Sequence, residues 1–378
     1  MPSPQTELLE DEPLLKAFIR SAVEPRLRAM GFANIRYDAM GNLIATYGAG
    51  ASGRSLMLIG NAMNQPAAAM RNAYAGDVVD GAPYGLPGEC VMGKGASEQK
   101  ANLAAMLHAM EIVIASGVPI AGRLVFVCCL SGETGKHDAI RSVVEGAGVR
   151  ADMAVLGGTG LTITLGNRGR IDVFVTVKGS PCHSARPWDG VNSITGATEV
   201  IRLLLGKVKL DRSHPQLGRP TLTVNHIRSF PDSTHTVQER CELTLDRRLL
   251  PGEDPDTAFA EIERIAKEVE ALADPVSGKH YGVDVRLGAF MYPSLVTTES
   301  PIVRALIRAT ESMLGKPAET KYSASAFDQG YLNHVGIPTA NFGAGEHRYA
   351  HTDYDMASVE RTADTARVYA FMLLDYLV

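Results

Sequence analysis

One tryptophan in 378 residues, five cysteines, and only 6% aromatic residues are the first scarcities of this chain. The cysteines (Cys90, Cys128, Cys129, Cys182, Cys241) are odd in number and show no metal-ligand spacing. They exclude a disulfide scaffold and fit a reducing compartment. Cys128 and Cys129 fall within an apolar run and read as small core residues. No apolar run approaches the roughly 20 residues needed to span a bilayer. The start, Met-Pro-Ser-Pro-Gln-Thr-Glu, lacks the basic-then-apolar layout of a secretory signal, so a cytoplasmic protein with no membrane partner is expected. A net charge of −5 leaves no footprint for nucleic acid. Repeats, low-complexity tracts and long linkers are lacking too. What remains is 45% hydrophobic residues, enough for a large core shared between two domains.

The order of patterns predicts an α/β architecture. Ser55 to Gly60, Arg123 to Leu130 and Met153 to Leu156 are short continuous apolar runs, as buried parallel strands require, and helical patterns alternate with them. The expected first domain is therefore a three-layer α/β unit around a mainly parallel sheet. From Arg170 the pattern changes, because Ile171-Asp-Val-Phe-Val-Thr-Val177 alternates as a half-exposed antiparallel strand does. A β-α-β-β-α-β order then runs to about Leu287 and predicts an inserted α+β sandwich. Residues 1–170 with 288–378 are expected to form the first domain and 171–287 the insertion.

The segment Gly93-Lys-Gly-Ala-Ser-Glu-Gln-Lys100 precedes an expected helix from Asn102 to Ser116. Its glycines permit a tight turn. Glu98 is expected at the start of the helix, where a carboxylate is electrostatically favoured. Further landmarks follow in order: Asp38-x-x-Gly-Asn42, Leu58-Ile-Gly-Asn61, Gly132-Glu-Thr-Gly135, Gly166-Asn-Arg-Gly169, Lys178-Gly-Ser-Pro-Cys-His183, Arg186-Pro-Trp-Asp-Gly-Val-Asn192, Asp246-Arg-Arg248, Gly336-Ile-Pro338, Phe342-Gly-Ala-Gly345 and Ala350-His-Thr352. Across nearly the whole chain these motifs resemble the M20 family of metallopeptidases and deacylases, which includes acetylornithine deacetylase, succinyl-diaminopimelate desuccinylase and carboxypeptidase G.

That resemblance implies two zinc ions held by five side chains, one bridging carboxylate, and a glutamate acting as general base. Here the first metal-binding histidine is replaced by Asn61, and the aspartate that orients it by Met63. The bridging aspartate is Glu98. Of the glutamate pair, the base falls on Gly132 and the metal ligand is kept as Glu133. The later acidic ligand falls on Gly157 or Gly158, and the C-terminal histidine is kept as His351. Glu98, Glu133 and His351 therefore survive as the ligands of one ion. Two carboxylates and one imidazole suit a single zinc or manganese with an open position, and at most one ion per chain is expected. The resemblance also gives His183 the task of steadying an oxyanion across a homodimer interface. Arg248 would meet a substrate carboxylate with its planar fork.

The candidate catalytic residues are thus Glu133, His183 and Glu98, and the candidate substrate-binding residues are Arg248, Asn192 and Asn61. Locally, Gly190 and Asn192 also read as a turn leading into a helix. Trp188 reads equally as a cleft residue or a surface cap, Lys100 as an anchor of the Glu98 motif, and Met63, Met70 and Met92 as apolar flanks of the cleft. Gly132 can move no proton, so Glu133 or Glu98 would have to act as the base. His137 is close in sequence to the Gly132-Glu133 pair and reads either as a further candidate group or as a side chain that simply faces solvent. Ser131 could be a nucleophile only with a His-Asp partnership that the sequence does not display. The expected activity is hydrolysis of an amide-type C–N bond in a small carboxylate-bearing substrate. The rival readings are a non-catalytic binding protein of the same fold and a lyase or cyclase using the remodelled cleft.

Overall fold

The computed structural model describes residues 1–4, 13–132 and 135–378. The chain forms two compact units. One comprises Met1–Gly166, Ser294–Ser323 and Phe327–Val378, the other Asn167–Pro293 with Ala324–Ala326. The expected insertion, 171–287, lies inside the second unit, which is longer at both ends because its first strand already begins at Gly169 and its last runs on to Met291.

The first unit opens with helices α1 (Pro13–Phe18) and α2 (Glu24–Ala29) and strands β1 (Asn34–Tyr37) and β2 (Leu43–Tyr47). It continues through β3 (Ser55–Asn61), β4 (Asp77–Asp80), β5 (Glu89–Met92), α3 (Ala101–Ala115), β6 (Arg123–Cys129), α4 (Asp138–Arg141), β7 (Met153–Thr159) and β8 (Thr162–Asn167). The second unit contains β9 (Gly169–Lys178), α5 (Ser193–Lys207), β10 (Thr221–Phe230), β11 (Arg240–Leu249), α6 (Pro255–Lys267) and β12 (Gly282–Met291). The chain then completes the first unit with β13 (Ser294–Leu295), α7 (Pro301–Leu314), β14 (Glu319–Ser323), α8 (Gln329–His334), β15 (Thr339–Gly345), β16 (Met356–Ser358) and α9 (Val359–Leu377).

The large sheet runs β1-β2-β6-β3-β7-β15-β8-β13, with β14 paired to β8. Its centre is parallel, β6 to β3, β3 to β7 and β7 to β15. Its flanks are antiparallel, so the sheet is mixed around a parallel heart. The antiparallel edge has a local cause. The Asp38 carboxylate accepts the N–H groups of Met40, Gly41 and Asn42 at 3.0, 2.8 and 2.9 Å and closes β1 onto β2 as a hairpin. Every residue of β3 is buried, as is β6 beyond Arg123, which is why these strands read as unbroken apolar runs. Cys128 and Cys129 lie in that core, and burial pushes the Cys128 thiol up to about 12, an unreactive thiol. Helices α3, α7 and α9 pack on the sheet and α3 and α7 both meet α9. Strands β16, β5 and β4 form a small separate sheet.

The second unit is a two-layer sandwich. Its antiparallel sheet runs β10-β11-β9-β12. In β9 and β11 buried and half-buried residues alternate, and Val173, Val175, Leu243 and Leu245 meet Val200 and Leu204 of α5 and Ile262 and Ile265 of α6. Asn192 caps α5 by accepting the Ile194 N–H at 3.0 Å, and Asp254 caps α6 through Thr257 at 2.9 Å.

Candidate active site

The segment carrying Glu98 is bound to the segment carrying His351 by a set of buried polar contacts. Gly95 takes φ +87°, and a Cβ there would lie 2.4 Å from the Asn64 Cβ, so the position tolerates only glycine. The buried Asp355 carboxylate accepts the Gly95 N–H at 2.6 Å and the Ser97 N–H at 2.9 Å. Ser97 Oγ donates to the Glu346 carbonyl at 2.9 Å and accepts the Glu346 N–H at 2.6 Å. Lys94 Nζ donates to the Thr352 carbonyl at 2.7 Å. Burial pushes the Asp355 carboxyl above the usual aspartate range, against the pull of its N–H donors.

This scaffold sets Glu98 Oε2 2.6 Å from His351 Nε2. Glu98 does not belong to the helix, which corrects the expectation that a helix start favours its charge. Its φ and ψ of −132° and 92° are extended, and α3 begins only at Ala101. His351 is held at φ +64°, uncommon for a residue other than glycine. Lys100 turns away to the Met1 carbonyl at 2.8 Å and lies over the Phe18 ring at 4.3 Å, an anchoring role. Burial lowers its pKa to about 8.

The positions where the resemblance would seat a second ion and a base are packed closely, mostly by side-chain amides and backbone, with the Asp328 carboxylate beside Gly132. Asn61, at the carboxyl end of β3, is 1% exposed, and its Oδ1 has no hydrogen-bond partner among the described residues. A Cβ at Gly132 would lie 2.2 Å from Asn61 Nδ2 and 3.2 Å from Asp328 Oδ2. A Cβ at Gly157 would lie 2.9 Å from Gln99 Oε1 and from the Asn102 Cβ, and one at Gly158 would lie 2.8 Å from the backbone nitrogen of Phe342. Asn102 fills this corner, donating to the Gly158 carbonyl at 2.8 Å and accepting the Ala344 N–H at 2.8 Å. Side-chain amides are poor partners for zinc or manganese, so this donor set does not fit a second ion. Glu98 and His351 do fit as two ligands of one. Among the described residues no group of three or more His, Cys, Asp or Glu side chains converges as a metal site. Glu133 lies outside the described residues.

Three other side chains are engaged within the protein. His137 does not face solvent. Its ring is fully buried, with Nδ1 2.7 Å from Asp328 Oδ1, a His-Asp partnership that the sequence hides because the two residues are far apart in the chain. Arg248 already spends its fork on Asp246, with Nε at 2.8 Å and Nη2 at 2.9 Å from the two carboxylate oxygens, because alternate residues of β11 share a face. The Asn192 side chain is engaged as the cap of α5 and so acts structurally. His183 is exposed, and its Nδ1 accepts the Ala185 N–H at 3.0 Å, which puts the proton of the neutral ring on Nε2. Trp188 is 56% exposed, and Met63 and Met70 are core residues. Asp355, Ser97, Asn102 and Asp328 escaped the sequence reading. Their only signal was a polar residue inside or beside an apolar pattern.

Known proteins bear on this geometry. Residues 165–273 match the model of a peptidase dimerisation domain. The uncharacterised protein YgeY of Escherichia coli (strain K12) is 26% identical over 370 residues, 94% of this chain and 88% of that protein. A succinyl-diaminopimelate desuccinylase of Phenylobacterium zucineum is 25% identical over 371 residues, 94% of this chain and 92% of the enzyme. The crystal structure of the M20 family metallo-carboxypeptidase Sso-CP2 from Sulfolobus solfataricus superposes with a TM-score of 0.79, at 17% identity over 99% of this chain and 96% of its own, which shows a shared fold.

Proposed function

The chain belongs to the M20 family of peptidases and deacylases, and on that premise we propose that it hydrolyses an amide-type C–N bond in a small, carboxylate-bearing substrate with a reduced metal site. The observation that supports this reading is the Glu98–His351 contact of 2.6 Å, held by buried donors and acceptors from both segments. That much scaffold around a carboxylate and an imidazole supports a working pair of groups.

In this reading Glu98 and His351, with Glu133, hold a single zinc or manganese ion. When bound, the ion polarises the scissile carbonyl and lowers the pKa of water. Glu133 moves the proton, since Gly132 cannot. His183 donates from Nε2 to the developing oxyanion, the nitrogen left protonated by its Ala185 contact. Arg248 can receive a substrate carboxylate only by exchanging it for Asp246, which makes it a conditional binding group. Asn61 could meet a substrate only if its buried amide were uncovered on binding. Residues 1–170 and 288–378 supply the catalytic-type unit, and 171–287 act as lid and dimerisation unit of a homodimer. That the dimerisation-domain match falls at residues 165–273 supports the last point.

The Asn61 amide against Gly132 favours one rival, a binding protein of the same fold without turnover. Metal analysis of the purified chain separates the two. About one zinc or manganese per chain, lost in Glu98→Gln and in His351→Ala, is the expected result. Two ions per chain would defeat the reduced-site reading, and metal-free protein that hydrolyses nothing in a panel of N-acyl, N-carbamoyl and N-formimidoyl amino acids would favour the binding protein.

A further inference from the structure

Beside Gly132 lies a buried pair, His137 and Asp328, that the hydrolase reading leaves without a task. Their side chains are 0% and 3% exposed, and Nδ1 of His137 stands 2.7 Å from Oδ1 of Asp328. An ionised carboxylate only accepts, so Nδ1 donates and carries a ring proton. Burying such a pair is a weak way to hold a fold, because desolvation of the two groups offsets their attraction. The backbone adds a cost, since His137 sits at φ +59°, in the left-handed region. Strain of this kind gathers where a protein uses it.

The surrounding elements fix the pair from both sides. Asp328 immediately precedes α8, and its carbonyl accepts the Leu332 N–H at 3.1 Å. Gln329 Nε2 donates to the Thr164 carbonyl at 3.1 Å and anchors the start of that helix. The Tyr331 ring lies 5.6 Å from the His137 ring, and its hydroxyl donates to Glu145 at 2.9 Å. With Oδ1 given to His137, Oδ2 is the oxygen of Asp328 that approaches Gly132. A Cβ at Gly132 would lie 3.2 Å from this Oδ2 and 2.2 Å from Asn61 Nδ2. A carboxylate oxygen and an amide donor therefore border the space that a side chain at position 132 would enter.

The hydrolase reading asks Glu133 both to hold the ion and to move the proton. We propose that Asp328 is a second proton-accepting carboxylate of the hydrolytic site, performing in space the task that Gly132 cannot perform in sequence, and that His137 is its positioning residue. This inference rests on the hydrolase reading. An O–H bond of the attacking water breaks, and the proton that Glu133 takes is handed to Asp328 Oδ2. As the C–N bond breaks, that proton returns to the departing nitrogen. His137 keeps its Nδ1 proton throughout and holds the carboxylate in one orientation. A buried acceptor suffices for this, because a base can be reached through one intervening water.

The test compares Asp328→Asn with Glu133→Gln in the metal-loaded full chain, on whichever N-acyl, N-carbamoyl or N-formimidoyl amino acid is cleaved. Asp328→Asn keeps the shape and removes the acceptor. Its kcat should fall by about a hundredfold or more with KM changed by less than about threefold. It should still carry about one zinc or manganese per chain, and its urea midpoint should not fall. His137→Ala should lower kcat by about tenfold or more, the scale of a hydrogen bond to a charged group. His137→Asn, which offers an amide N–H to Asp328, should recover most of that loss. Full turnover in Asp328→Asn beside inactive Glu133→Gln and Glu98→Gln overturns this inference and leaves the hydrolase reading standing. Loss of the metal in Asp328→Asn overturns it too, by making Asp328 a ligand. A fall in rate matched by a fall in urea midpoint overturns it by making the pair structural, and equal losses in the two His137 variants remove the positioning role. A wild-type chain without metal or turnover defeats the hydrolase reading itself, and this inference with it.

Discussion

The two sides of the candidate active site were built by opposite means. Around Glu98 and His351 the polar contacts carry charge: Asp355, Lys94, and the backbone N–H groups that the Asp355 carboxylate collects. Around Gly132, Gly157 and Gly158 the space is taken by the amides Asn61, Gln99 and Asn102, by the Asp328 carboxylate and by the approach of β15. The difference lies in what holds each side together, charged groups on one and mostly amides and backbone on the other. Removing acids alone would leave voids and unpaired groups. The positions that the resemblance would give to the base and to the later acidic ligand are glycines, and a side chain or backbone of a neighbouring segment occupies the space in front of each. Substitutions on that side are therefore expected to be coupled.

The comparison is broken most directly on its charged side. Under the hydrolase reading, Glu133→Gln and Glu98→Gln should each lower turnover by about a hundredfold or more, the usual scale of a lost acid–base group. Steady-state rates on whichever panel substrate is cleaved provide the check, and full activity in either variant would place the chemistry elsewhere in the cleft. On the neutral side, Gly132→Glu should destabilise by about 1–3 kcal/mol without raising activity, because the new side chain displaces the Asn61 amide. The double variant Gly132→Glu with Asn61→Ala should recover much of that loss, a coupling of about 0.5–3 kcal/mol readable by urea denaturation. Strict additivity would show that Asn61 does not fill the place of the base.

Asn102→Ala should cost about 1–3 kcal/mol, since it leaves the buried Gly158 carbonyl and Ala344 N–H without partners. The midpoint of urea unfolding measures it, and an unchanged midpoint would mean that the amide plug is ornamental. The smallest effect is a pH dependence confined to the charged side. Burial raises the Asp355 pKa in the folded state, so between the ordinary aspartate value of 3.8 and the raised one the folded chain holds a proton that the unfolded chain has released. This group's contribution to stability is complete below that window and is lost as pH rises through it. Thermal unfolding in Asp355→Asn should lack this component of the slope. An identical slope in both proteins would assign it to other groups.

Much of the architecture was legible because it follows from periodicity. Continuous apolar runs marked β3, β6 and β7, and the switch to alternation at Arg170 marked the second unit. The antiparallel flanks of the large sheet were not legible, since strand direction depends on which neighbour a strand finds. Within the site, motif order brought Glu98 and His351 to notice. Motif order could not show that Arg248 is occupied by Asp246, because a fork and a carboxylate two residues apart read the same whether they face each other or a substrate. Nor could it reveal His137 with Asp328, whose contact is made only when α8 packs beside the strand ends.

The sequence by itself determined the residue types that stand at the positions the resemblance singles out: Asn61, Glu98, Gly132 and His351. It also determined the alternation of elements, because burial on one face or two leaves a direct trace in residue order. Only the tertiary structure decided what filled the vacated positions and what bound the surviving pair together. Asn102, Asp355 and Ser97 act across 242 to 260 residues of chain, and side chains that far apart become partners only after the sheet has closed around them.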